Sequence, residues 1–189
     1  MSLRFALVGC GRIGQVHARE IRRVGHLAAV CDVVAEKMDM VVGNDPITKY
    51  PSLTALLHAE NEIDLVVIAT PTIHHRAAAE KLLARGVHCL IEKPLAPSVE
   101  EARAIADAAA RSGALLQVGH VVRYDPVMVA VRKLGLVPRF VEVDRVSPMT
   151  FRSVDVGVVL DMMIHDIDVL LMLFGAEPVE VRASAVSVL

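Results

Sequence analysis

Along the first two-thirds of the chain, short apolar runs alternate with longer stretches whose apolar residues recur at helical intervals. Leu3–Val8 is a run that ends in glycines, and Ile13, Val16, Ile21 and Val24 then mark a helix over Ile13–Val24. Leu27–Cys31 reads as a second buried strand, followed by a helix near Ala35–Val42 that Asn44-Asp45-Pro46 breaks. A short strand near Thr48–Tyr50 precedes a helix opening at Ser52. Ile63–Ala69 (IDLVVIA) is the strongest strand signal, and Ile73–Arg85 is helical until Gly86 stops it. Val87–Ile91 is a further strand; Ser98 with Glu101 forms a capping box for a helix to Ser112, and Leu115–Val118 closes the series. Such βαβα alternation predicts an α/β fold with a doubly wound parallel sheet.

After Gly119 the pattern changes. A helix near Pro126–Leu134 leads to Phe140–Val146, whose period-two alternation suits a half-exposed antiparallel strand. Val156–Phe174 predicts one long helix ended by Gly175, and Val179–Val188 alternates again as a strand. The chain thus divides into a first domain over 1–119 and, over 120–189, the start of an α+β, mostly antiparallel sheet domain. Two strands and two helices leave an open edge and little core, so this second part reads as incomplete, a fragment or truncated product.

Composition narrows the class. Hydrophobic residues make up 54% of 189, enough for a core, and with aromatics at 3% and no Trp that core must be Val, Leu, Ile and Ala. Twenty Lys and Arg against 22 Asp and Glu leave −2, so neither nucleic acid nor an anionic membrane is an expected partner. Cys10, Cys31 and Cys89 form no ligand pair and read as reduced, buried thiols. Leu7-Val8-Gly9-Cys10 imitates a lipoprotein signal, but the apolar stretch Phe5–Val8 is too short for a signal core. No run approaches the roughly 18 apolar residues of a membrane span, and a cytoplasmic location is expected.

Gly9-Cys10-Gly11-Arg12-Ile13-Gly14 is G-x-G-x-x-G between a strand and a helix. Gly9 permits the tight turn, Gly11 lets a phosphate approach the backbone, and Gly14 lets helix and strand pack closely. Asp32 ends the next strand, where a carboxylate takes ribose hydroxyls and repels a 2′-phosphate, favouring NAD over NADP. A glycine turn without a ligand, or FAD on the same fingerprint, are the competing readings. Thr70-Pro71 follows the strongest strand, at the end where open α/β sheets bind ligands, and equally suits a helix start. His74 and His75 fall in the next helical turn, as a solvated face or as ligands.

Glu92-Lys93-Pro94 follows the next strand, so the Lys93 ammonium can steady a developing alkoxide or simply pair with Glu92. Asp161 and His165, four apart on a helix, suit a general base oriented by a carboxylate. Other readings are a helix whose Asp and His merely cap or pair, or a metal site, for which cysteine and a third histidine are lacking nearby. No metal is expected. His17, His26, His58 and His88 read as ordinary surface or core histidines.

Taken in order, Gly9–Gly14 with His17, Asp32, Thr70-Pro71 with His74, Glu92-Lys93-Pro94 and Asp161-x-x-x-His165 resemble the glucose–fructose oxidoreductase/inositol dehydrogenase (Gfo/Idh/MocA) family across essentially the whole chain. The resemblance implies an NAD-binding Rossmann domain followed by a mostly antiparallel sheet domain that carries a sugar site. It implies Lys93, Asp161 and His165 as the catalytic set, and a cis peptide before Pro94. Cofactor contacts would then come from Gly9, Gly11, Arg12, Ile13, Gly14, Asp32, Thr70, Pro71, His74, Glu92 and Lys93.

A narrower likeness lies in Val118–Pro126 and Val159–Asp168, with Arg145-x-Ser147-Pro148 and Arg152-Ser153-x-Asp155 between them. These are similar to the branch that oxidises UDP-N-acetylglucosamine at the sugar 3-position, which supplies a 3-keto sugar for amination in making diamino-sugar lipid A. Substrate contacts are then expected from Lys93, Asp161, His165, Arg123 and Arg152, the two arginines meeting the diphosphate by paired N–H bonds. A surface ion pair is the other reading of either arginine. Members of the family are longer than this chain, and the part not present is expected to complete the sheet, the sugar pocket and a homo-oligomer interface. An inositol or free-sugar dehydrogenase, or a non-catalytic nucleotide-binding module, are the alternatives.

Overall fold

Six parallel strands carry the first part of the molecule: β1 Arg4–Val8, β2 His26–Cys31, β3 Thr48–Tyr50, β4 Leu65–Ile68, β5 His88–Ile91 and β6 Leu116–Val118. The computed structural model describes residues 2–60, 62–146 and 157–186. It divides into two compact units, Met1–Gly119 and His120–Leu189. In the first unit the strands lie in the order β3-β2-β1-β4-β5-β6. Helices α1 Arg12–Val24, α2 Ala35–Val42, α3 Leu53–Ala59, α4 His75–Leu83 and α5 Val99–Ser112 make or flank the crossovers. The order reverses between β1 and β4, which creates a crevice at the carboxyl ends of those strands.

Alternation along β1 explains how one short strand serves two layers. Ala6 and Val8 pack with Val66, Ile68, Leu82 and Ile105 on one side. Phe5 and Leu7 pack with Ala18, Ile21, Met38 and Val41 on the other. Both faces are covered, so the strands are continuous apolar runs, as parallel sheets require. The caps at Ser52 and Ser98 form as the sequence predicts, each side chain accepting a backbone N–H three residues on. The helix expected from Ile73 starts instead as a 3-10 turn over Thr72–His74 before α4 begins.

The second unit holds a 3-10 turn Val121–Tyr124, α6 Pro126–Lys133, a π-helical segment Val159–Met163 and α7 Ile164–Phe174. Asp125 caps α6 by accepting the Val127 N–H at 2.8 Å, and Pro126 occupies the first helical position. The long helix predicted to Phe174 is therefore a π turn joined to an α-helix, closed by Gly175 at φ +61°. Val156 lies outside the described residues. Segments 140–146 and 179–186, expected as strands, are irregular, and Ser187 and Val188 fall outside the described residues. Alternating side chains supply a face, but a strand exists only through a ladder with a neighbour, and none forms among the described residues here.

Candidate active site

The turn after β1 is built by steric demand. Gly9 sits at φ +95°, and a Cβ there would lie 2.5 Å from the Ala69 carbonyl oxygen. A Cβ on Gly14 would lie 2.0 Å from the Gly9 carbonyl oxygen, so α1 can pass this close only with glycine. Gly11, by contrast, faces open space, with nothing within 4 Å of the place a Cβ would take. The first amides of α1 have no acceptor within the helix and suit an anion.

Asp32 closes this turn from the end of β2. Its Oδ2 accepts the Cys10 N–H at 2.7 Å and its Oδ1 the Val34 N–H at 2.9 Å. A carboxylate so fixed still carries lone pairs for ribose hydroxyls. Burial first, and the Asp32 charge second, push the Cys10 thiol up to about 12 and the Cys31 thiol up to about 11, so both stay protonated.

Gly9, Gly11, Arg12, Ile13 and Asp32 line a cleft of about 650 Å³ together with Thr70, Pro71 and His74. The Thr70 hydroxyl oxygen is buried and has no hydrogen-bond partner among the described residues. An open cradle at Gly11, a fixed carboxylate and an unsatisfied hydroxyl fit a dinucleotide. Among the described residues no cluster of three His, Cys, Asp or Glu suits a metal, and no helix is long and apolar enough to cross a membrane.

At the end of β5, Glu92 donates its N–H to the Ile68 carbonyl at 2.9 Å. Its carboxylate accepts from His17 Nε2 at 2.7 Å and from the Lys93 N–H at 3.1 Å. Burial raises the Glu92 carboxyl, but the His17 hydrogen bond and the charges of His17 and Lys93 outweigh it and hold the group below its ordinary value. The Lys93–Pro94 peptide is cis. His17 is thus no ordinary surface histidine: the family resemblance set it beside the glycine turn, but its bond to Glu92 was not foreseen. His74 and His75, which share a helical turn in the sequence, part company here. His74 is exposed at the cleft, whereas His75 is 1% exposed. His75 shares its spacing with Ala78, Ala79 and Leu82, the apolar face of α4, which was the legible clue.

In the second unit Asp161 lies in the π segment and His165 in the first turn of α7, both half-buried. Asp168, one turn on and 6% exposed, accepts from Arg123 Nε at 2.7 Å and Nη2 at 2.5 Å, with His120 Nδ1 at 3.8 Å. Asp166 is paired in the same two-pronged way with Arg145, which lowers its carboxyl. Arg123 therefore has an internal partner that the spacing alone does not reveal. Arg152 lies outside the described residues.

Comparison with known proteins agrees with this geometry. Residues 3–120 match the model of the GFO/IDH/MocA oxidoreductase family, NAD-binding Rossmann fold, and residues 140–189 that of a GFO/IDH/MocA C-terminal domain. UDP-N-acetylglucosamine 3-dehydrogenase of Acidithiobacillus ferrooxidans is 41% identical over 98% of this chain and 58% of its own length. Its solved structure superposes with a TM-score of 0.89 at 40% identity, covering 99% of this chain and 62% of that one. Inositol 2-dehydrogenase of Rhizobium meliloti is 34% identical over 98% of this chain and 59% of its own length. The WlbA dehydrogenase of Bordetella pertussis, solved with NADH and UDP-GlcNAcA, gives a TM-score of 0.66 at 29% identity over 70% of this chain and 41% of that one. The chain spans about 60% of the length of the first two of these relatives. With its glycine turn, its 3-2-1-4-5-6 sheet and its family match over residues 3–120, this chain belongs to the GFO/IDH/MocA oxidoreductase family and carries that family's NAD-binding Rossmann domain.

Proposed function

We propose that the whole protein is an NAD-dependent dehydrogenase that removes hydride from a sugar hydroxyl carbon, the 3-position of UDP-N-acetylglucosamine. The observation that carries this reading is 41% identity over 98% of the chain to an enzyme of that name. NAD, when bound, supplies the hydride acceptor. Backbone at Gly9, Gly11, Arg12, Ile13 and Gly14 holds the pyrophosphate, and Asp32 takes the adenosine ribose. Thr70, Pro71 and His74 hold the cofactor from the cleft they share with Asp32, and Glu92 and Lys93 serve the nicotinamide half from the end of β5.

His165 takes the hydroxyl proton, since imidazole is the side chain whose ordinary titration lies nearest neutral pH. Asp161 orients that ring or the hydroxyl, and the Lys93 ammonium steadies the oxygen as negative charge develops on it. Arg123 and Arg152 meet the diphosphate; a guanidinium carries five N–H donors, and Asp168 takes two of those on Arg123.

The test is the rise of NADH absorbance with NAD and UDP-N-acetylglucosamine, with myo-inositol and glucose in parallel. A signal with the nucleotide sugar alone supports the reading. The similarity to an inositol 2-dehydrogenase favours a second reading, an inositol or free-sugar dehydrogenase, which a signal with myo-inositol or glucose would establish instead. Silence with all three alongside NAD binding leaves this chain a binding role. Lys93→Ala is expected to cut turnover far more than NAD affinity; equal losses would move Lys93 from the chemistry to cofactor binding.

A further inference from the structure

His75 opens α4 with 1% of its surface exposed and does not line the nucleotide cleft. Its Nε2 lies 2.9 Å from the Thr70 carbonyl oxygen. Its Nδ1 lies 3.1 Å from the carbonyl oxygen of Pro94 and 3.3 Å from that of Leu95. Carbonyl oxygens only accept and a neutral imidazole carries one N–H, so hydrogen bonds on both sides at once need both ring nitrogens protonated, and one N–H serves one side. Thr70 belongs to the turn that leaves β4, whereas Pro94 and Leu95 come directly after Lys93 in the turn that leaves β5. One ring therefore ties together two turns at the carboxyl ends of neighbouring strands.

We propose that His75 is a positioning residue, stapling the turn after β4 to the turn after β5 and so fixing the Lys93 segment beside the nucleotide cleft. The catalytic consequence rests on the dehydrogenase reading of Lys93; the staple itself does not. The same segment is gripped on its other side through Glu92, whose carboxylate accepts from His17 of α1 at 2.7 Å. Two imidazoles from two helices bracket Lys93, one acting on the carboxylate before it and one on the carbonyls after it. Without His75 the buried Pro94 carbonyl loses its donor, and the turn must move to find another.

The test compares the full chain with His75→Leu, which removes both ring nitrogens, and His75→Gln, which keeps one donating head. With a sugar that the wild type oxidises, His75→Leu is expected to lower kcat about 100-fold, the cost of a displacement near 1 Å, with the KM for NAD little changed. His75→Gln should recover part of that loss. Wild-type turnover in His75→Leu, or a loss carried wholly by the KM for NAD, overturns the proposal.

Two readouts need no turnover. Trace acetylation with acetic anhydride should change at Lys93 relative to Lys49 and Lys133, and amide exchange should quicken over residues 92–97 but not over 9–14. Unchanged labelling and exchange overturn the proposal. Both changes in a chain that oxidises no sugar would uphold the staple and leave turnover to the longer protein, or this chain to a binding role. Should His75→Leu fail to fold, the same two readouts on His75→Gln decide.

Discussion

Gly11 and Gly14 share one turn, yet their hydrogens stand in for different things. At Gly14 the missing methyl is room for the backbone of Gly9, 2.0 Å from where a Cβ would lie; at Gly11 it is room for nothing in the protein. Gly14→Ala should therefore unfold at lower denaturant, by about 1–3 kcal/mol of overpacking, and lose NAD as the turn opens. Gly11→Ala should melt like the wild type without cofactor, yet bind NAD at least about tenfold more weakly, or about 1.4 kcal/mol. Denaturant unfolding and titration calorimetry on the two variants separate these effects. A Gly11→Ala chain with normal NAD affinity would show that phosphate does not approach the backbone there.

Helices α1 and α7 are each tied down by a carboxylate, and the two ties respond to different perturbations. Asp168 is nearly buried while the Arg123 side chain that grips it is 41% exposed, so solvent screens part of the pair. Arg123→Leu leaves a buried carboxylate short of its two donors and should cost about 1–3 kcal/mol in urea unfolding. The double replacement Arg123→Leu with Asp168→Leu should cost less than the sum of the singles. For α1 the tie is His17 to Glu92, whose carboxyl is held below its ordinary 4.5. A depressed carboxyl binds its proton more weakly folded than unfolded, so its stabilisation is present above 4.5 and is lost as pH falls through the folded value. His17→Phe should be less stable than the wild type at pH 7 by circular dichroism. That gap should close below about pH 4.5; a gap independent of pH would detach Glu92 from it.

At the scale of the whole molecule, the first unit contains every residue lining the nucleotide cleft. NAD at a hundredfold excess over its Kd should add about 2.7 kcal/mol to that unit and raise its melting temperature. NADP at the same concentration should raise it less if Asp32 takes the ribose as proposed, because a 2′-phosphate would then meet a second negative charge. Equal shifts in scanning calorimetry would show that Asp32 does not face the ribose. The parallel sheet, the glycine turn, Asp32 and the helix caps were legible from the amino acids, because apolar period, steric room and capping act over a few residues. The bond between His17 and Glu92, separated by 75 positions, was not, nor was the pairing of Arg123 with Asp168, separated by 45. Nor could period alone show that alternation in 140–146 lacks a ladder, or that the helix expected over Val156–Phe174 passes through a π turn at Val159–Met163. Local sequence determines which conformation each segment favours; which distant donor meets which buried acceptor is decided only when the strands are ordered, since a hydrogen bond needs both partners within 3 Å or so.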